Sequence, residues 1–164
     1  MAGTVAIGIQ QFNEIRKKGY FYIDKTAFIR EWWEKGDSVT LITRPRRFGK
    51  TLTMSMVEQF FSVKYAGQQN LFEGLAIWET KVYREIQGTY PVISLSFANL
   101  KEPSYELTRQ KVCDQLQQLY TEHAYILESG ILKGADKSFF ERMLHNEKVE
   151  YVDATLALYK LSSF

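Results

Sequence analysis

The stretch Leu41-Ile42-Thr43-Arg44-Pro45-Arg46-Arg47-Phe48-Gly49-Lys50-Thr51 carries a short apolar run into a basic loop that closes on Gly-Lys-Thr. An amphipathic run follows at once, with Leu52, Met56 and Phe60 every four residues and Val57 and Phe61 beside them. Apolar strand, basic turn, helix start is the order in which a chain can curl its amide hydrogens round an anion and set a helix N-terminus behind them. The Walker A pattern G-x-x-x-x-G-K-[ST] is met at every specified position except the first, where Arg44 replaces glycine.

Each loop residue has a part in that chemistry. Gly49 lets the backbone approach an anion where a Cβ would clash. Lys50 sets a long cation against the β- and γ-phosphates, and Thr51 offers its hydroxyl to Mg²⁺. Arg46 and Arg47 add bidentate-capable donors, and Phe48 completes the candidate nucleotide-binding set. Two residues work against the motif. Arg44 takes a positive φ less cheaply than glycine, by roughly 1–2 kcal/mol, and Pro45 removes one N–H. No acidic residue stands between Asp37 and Glu58, so Arg44, Arg46, Arg47 and Lys50 form a local concentration of positive charge. Against nucleotide binding stands a plain strand-to-helix turn with a solvated basic rim; the flanking pattern favours the nucleotide.

Around the loop the chain reads as α/β. Gly8 to Lys18 is amphipathic, with Ile9, Phe12 and Ile15 at helical spacing, and Tyr20 to Ile23 is a brief β-favouring run. Asp24 or Thr26 is placed to cap a helix whose stripe of Phe28, Ile29, Trp32 and Trp33 ends at Gly36. Val39–Thr43 reads as a buried strand before the loop, and Val92–Phe97 as a second strand. Tyr65 to Gly74 has loop chemistry. Ser104 caps the longest helix, reaching about Glu128, and helices over Ser138–His145 and about Asp153–Leu161 follow. The expected architecture is a P-loop NTPase-like parallel sheet flanked by helices, with right-handed crossovers and an incomplete core. A 1–37 N-terminal segment precedes a 38–164 loop core with its helices.

A triphosphatase core also needs a second acid at the end of an apolar strand. Val149-Glu150-Tyr151-Val152-Asp153 is the nearest imitation, but Glu150 interrupts it, and a helix start capped by Asp153 is the better reading. Cys113 is the one cysteine, which excludes an intramolecular disulfide and a Cys-rich metal site and suits a small buried hydrophobe. Met1 to Gln10 shows no signal-peptide pattern, and no apolar run approaches the ~20 residues of a membrane span, so the cytoplasm is the expected compartment. His123 and His145 lack partners at ligand spacing and read as structural. Tyr22, Asp24 and Lys25 are candidates for a base pocket, although capping by Asp24 is favoured, and Trp32 and Trp33 read as core.

Gly8-Ile9 to Phe12, Gly19 to Thr26, Leu41 to Met56 and Leu71-Phe72-Glu73-Gly74-Leu75 resemble the AAA-ATPase-like family of bacterial P-loop proteins. Arg-Pro-Arg-Arg-Phe-Gly-Lys-Thr is its distinctive string, and arginine at the first motif position is usual there. The resemblance implies ATP and Mg²⁺ at Gly49, Lys50 and Thr51. It also implies a Walker B strand beyond Phe164, which hydrolysis requires, and often a C-terminal nuclease-like domain of the PD-(D/E)XK superfamily through which nucleic acid becomes a partner. Two other functions compete. One is a non-enzymatic module gripping nucleic-acid backbone through Arg44, Arg46, Arg47 and Lys50; the other is a structural remnant with an empty loop.

Overall fold

The computed structural model describes residues 4–5, 7–98, 100–145, 149 and 151–164, and the chain divides into two compact units, Met1–Val92 and Ile93–Phe164. The first unit holds helices α1 (Phe12–Lys17), α2 (Ala27–Lys35), α3 (Lys50–Phe61) and α4 (Lys81–Ile86), with single 3-10 turns at Val63–Tyr65, Gln69–Leu71 and Ala76–Glu79. α1 is shorter than the Gly8–Lys18 pattern suggested. α2 stops where expected, at Gly36 with φ +64°.

The four-residue spacing along α3 does what it implies. Met56 and Phe60 are fully buried, packing with Phe12, Ile29, Leu71 and Phe72 in one apolar cluster. Aromatic rings dominate it: Phe12 stacks on Phe72 at 5.2 Å and meets Tyr22 edge-on at 5.4 Å. Trp32 and Trp33 pack on Phe61 at 5.6 and 5.3 Å, Trp33 at the rim with its outer part exposed. Polar contacts fix the arm before α1 onto α3, because the Phe12 amide donates to Ser55 Oγ (3.1 Å). Arg16 then donates to the carbonyls of Leu71 and Glu73, both at 2.7 Å.

The C-terminal end of α3 is clasped. The amides of Gly88 and Tyr90 donate to the Phe60 and Phe61 carbonyls (2.8 and 2.9 Å), and Val63 N–H returns to the Tyr90 carbonyl at 2.9 Å. Gly88 is required there: its φ is +70°, and a Cβ on it would lie 2.7 Å from the Ala66 Cα.

The expected parallel sheet is not there. Among the described residues there is no β-strand, only an isolated parallel bridge between Ser62 and Tyr90, and the architecture is predominantly helical. Residues 20–23, 39–43 and 92–97 run without helix or ladder. Val39 and Leu41 are 87% and 82% exposed. The physical reason is that a β-favouring run states only a preference for a pleated surface; a strand exists when a neighbour supplies the complementary N–H and C=O row. A parallel strand is also covered on both faces, and Val39 and Leu41 are uncovered.

In the second unit α5 (Tyr105–Glu122) begins at Ser104, whose Oγ accepts from the Leu107 amide at 3.2 Å. Short α6 (Tyr125–Glu128), α7 (Gly134–His145) and α8 (Tyr151–Ser163) follow. The helix expected to reach Glu128 in one piece breaks at His123, where Nδ1 lies 2.8 Å from the Leu119 carbonyl and the Ala124 amide turns to the Thr121 carbonyl. His123 is therefore buried and structural. Tyr120, with no exposed surface, donates its hydroxyl to the Ala157 carbonyl at 2.8 Å and packs on Phe140. Cys113 is buried in the same cluster, and burial pushes its thiol up despite the opposing charge of Arg109. α7 and α8 start earlier than their patterns suggested. Asp153 pairs with Arg142 (3.2 Å) from the first turn of α8 rather than capping it. Tyr151 to Asp153 are helical, so the weak acidic-strand candidate is not a strand over those residues; Glu150 lies outside the described residues. Among the described residues no helix is long and apolar enough to cross a membrane.

Candidate functional site

The turn between Leu41 and α3 is built from two left-handed residues. Arg47 has φ +69°, the one such non-glycine among the described residues, and Gly49 follows with φ +77° as the N-cap of α3. A glycine has no side chain to cap with, and the first intrahelical bond runs from the Thr53 amide to the Gly49 carbonyl at 2.8 Å. The amides of Lys50, Thr51 and Leu52 thus open the helix ahead of its own ladder, at the end where the peptide dipoles sum to positive. No acidic side chain lies in that first turn.

Lys50 is half-buried, and its ammonium folds back into the turn, donating to the carbonyls of Arg44 and of Pro45 (3.2 Å for Pro45). Pro45 therefore withholds an amide but contributes an acceptor that holds the lysine inside the loop. Arg44, Arg46, Arg47 and Phe48 are exposed, and none of the three arginines is in an ion pair among the described residues. Thr51 is exposed on the first turn, and its hydroxyl makes no hydrogen bond among the described residues. The structure thus brings Arg46, Arg47, Phe48, Gly49, Lys50 and Thr51 together at one helix start.

Of the candidate base-pocket group, Tyr22 and Asp24 are engaged elsewhere. Tyr22 donates its hydroxyl to Met56 Sδ at 3.2 Å, and burial pushes that hydroxyl up to about 12. Asp24 does not cap α2, whose N-cap is Thr26. One of its oxygens accepts from the Thr26 amide (2.8 Å) and hydroxyl (2.7 Å), the other from the Ala76 amide (2.7 Å). Burial works to raise the Asp24 carboxyl, but those three bonds and the charge of Arg16 outweigh it and hold the group below its ordinary value. Thr26, fully buried, in turn accepts from the Ile77 amide at 3.1 Å. The turn 24–26 is thereby stapled to the start of the 76–79 helix.

Lys25 stands on that staple and reaches the loop. Its Nζ is 3.5 Å from the Phe48 carbonyl and 3.2 Å from where a Cβ on Gly49 would sit. From the sequence, Lys25 was one of three candidates for a base pocket, with capping by Asp24 favoured; the structure sets its ammonium beside the turn. The available signal was Asp24-x-Thr26, a side-chain-to-backbone turn pattern that fixes the residue between them. His145 ends α7, exposed, and among the described residues no group of three or more His, Cys, Asp or Glu stands together to hold a metal.

A family model described as "Predicted AAA-ATPase" matches residues 6–155. A protein of Azotobacter chroococcum mcd 1, described as "Uncharacterized protein in vnfD 5'region", is 38% identical over 92 residues. The match covers 56% of this chain and 16% of that protein, so the chain spans a small part of that relative's length. No solved structure matches the chain.

Proposed function

The chain belongs to the predicted AAA-ATPase family, and from that premise we propose that the Arg44–Thr51 turn binds the phosphates of a nucleoside triphosphate, ATP, as a Walker A-type loop in the cytoplasm. The observation that carries this reading is the junction at Gly49. A left-handed glycine opens α3 without a side-chain cap, the first-turn amides precede the helical ladder, and the Lys50 ammonium lies within the same turn. Capless amides at a positive helix end, with a captive cation beside them, suit an anion of several charges.

Mg²⁺ fits the same turn through Thr51, whose hydroxyl is exposed and otherwise unused among the described residues. With few protein donors nearby, such an ion keeps most of its shell from phosphate and water, as Mg²⁺ usually does. When bound it neutralises charge on the phosphate oxygens. The chain's own residues do the rest: Lys50 exchanges loop carbonyls for phosphate oxygens, the amides of Lys50 to Leu52 donate, and Arg46 and Arg47 close over the anion. Hydrolysis needs a carboxylate to position water, which the resemblance places beyond Phe164; these 164 residues are read as a binding module of a larger ATPase. A nuclease-like domain in the whole protein would make nucleic acid its partner.

Calorimetry with Mg·ATP on the wild type and Lys50→Ala tests the reading. A loss of about tenfold or more in Lys50→Ala, about 1.4 kcal/mol or more, is expected; equal affinity in the two proteins refutes it. The exposed arginines also suit a nucleic-acid backbone. That alternative predicts binding that weakens steeply with salt and is indifferent to competing ATP.

A further inference from the structure

We propose that Lys25 is a second phosphate-contacting cation of this loop, delivered from the turn before α2, so that nucleotide binding ties the N-terminal part of the chain to the loop. The proposal rests on the reading of the Arg44–Thr51 turn as a phosphate site and assigns that site a residue outside its motif. Three observations carry it.

The first is position. Lys25 Nζ is 3.2 Å from the place a Gly49 Cβ would take, on the side of the turn that glycine leaves open. A cation there stands beside the residue that opens α3.

The second is how weakly that cation is held. Its one described bond is to the Phe48 carbonyl at 3.5 Å, the outer limit for a hydrogen bond. The carboxylate next to it in sequence cannot serve, since both Asp24 oxygens are taken by Thr26 and Ala76. With Arg44, Arg46, Arg47 and Lys50, Lys25 makes five cations around one turn with no carboxylate between Asp37 and Glu58. Like charges held together favour an anion among them.

The third is support. The backbone on either side of Lys25 is fixed by Asp24 to Ala76 and by buried Thr26 to Ile77. The lysine therefore starts from a rigid base and spends only its own side-chain freedom on reaching a ligand.

The test compares Lys25→Gln, Lys25→Arg and Lys50→Ala with wild type in the full 164-residue chain. The probes are Mg·ATP and inorganic tripolyphosphate, followed by calorimetry, with nucleotide-free melting alongside. The expected result is a five- to fifty-fold weakening of both probes in Lys25→Gln, equal within error, with substantial recovery in Lys25→Arg and unchanged nucleotide-free melting. If Lys25→Gln weakens ATP and leaves tripolyphosphate alone, the lysine serves the base and the proposal is overturned. If Lys50→Ala loses affinity while Lys25→Gln binds like wild type, the proposal falls and the reading of the loop stands. If wild type and Lys50→Ala bind alike, the reading of the loop falls and takes the proposal with it. A Lys25→Gln that melts lower without ligand and is not rescued by Lys25→Arg shows a merely structural lysine, which also overturns it.

Discussion

Replacing Arg47 with glycine should make the protein more stable and a poorer binder of nucleotide. Arg47 sits at φ +69°, a left-handed conformation that costs a residue with a Cβ about 1–2 kcal/mol. Glycine removes that cost but adds about 0.4–1 kcal/mol of unfolded-chain entropy. The balance is a gain of about 0.5–1 kcal/mol, or a rise of about 2–8 °C for a unit of under 100 residues. Gly49→Ala reverses the experiment two residues on. Its φ of +77° charges alanine the same strain, and the new Cβ meets only the flexible end of Lys25 at 3.2 Å, so melting should fall by a similar amount. Nucleotide-free calorimetric melting of both variants reads the signs, and titration with Mg·ATP should show Arg47→Gly about tenfold weaker for the loss of one charged donor. If Arg47→Gly melts lower than wild type while Gly49→Ala melts unchanged, the turn does not have the geometry described. Strain concentrated at the residue that would touch the ligand is the pattern expected where stability is traded for a site.

Two further expectations follow from the packing and from the turn at Asp24. Gly88→Ala should cost about 3 kcal/mol or more in urea unfolding, because a Cβ 2.7 Å from the Ala66 backbone must push the clasp on α3 apart as well as hold φ +70°; a cost below about 1 kcal/mol would contradict the clasp. The Asp24 carboxyl is held below its ordinary value of 3.8, so its contribution is complete above that value and is lost as pH falls through the lower folded one. In acid unfolding monitored by circular dichroism, Asp24→Asn should be less stable at neutral pH and show a shallower loss below pH 4, whereas a slope equal to wild type would mean the carboxylate is not bonded as described.

What the sequence made legible was local. α3 could be read to within a residue because its signal is intrinsic: apolar residues every four positions and a glycine where the chain must turn left-handed. Ser104 announced α5 for the same reason. Val39 to Thr43 and Val92 to Phe97 misled because β-propensity describes a residue's taste in surroundings, and the surroundings are other strands. The break at His123 was hidden because its ring bonds Leu119 four residues back, an arrangement that periodicity alone does not reveal. Among the residues of the proposed site, the cluster from Arg46 to Thr51 is contiguous and so could be read as a unit. Lys25 was not, since its approach to Phe48 depends on the distant amides of Ala76 and Ile77.

The clasp formed by Gly88 and Tyr90 makes α3 a one-sided electrode. The carbonyls of Phe60 and Phe61 at its negative pole are already neutralised by backbone donors, so that pole has little left to offer a cation. The opposite pole has no such insulation. A perturbation that loosened residues 88–90 would bare the Phe60 and Phe61 carbonyls and fray that end of the helix while leaving the Gly49 end as it is, because the charge of a helix pole falls off within its own turn.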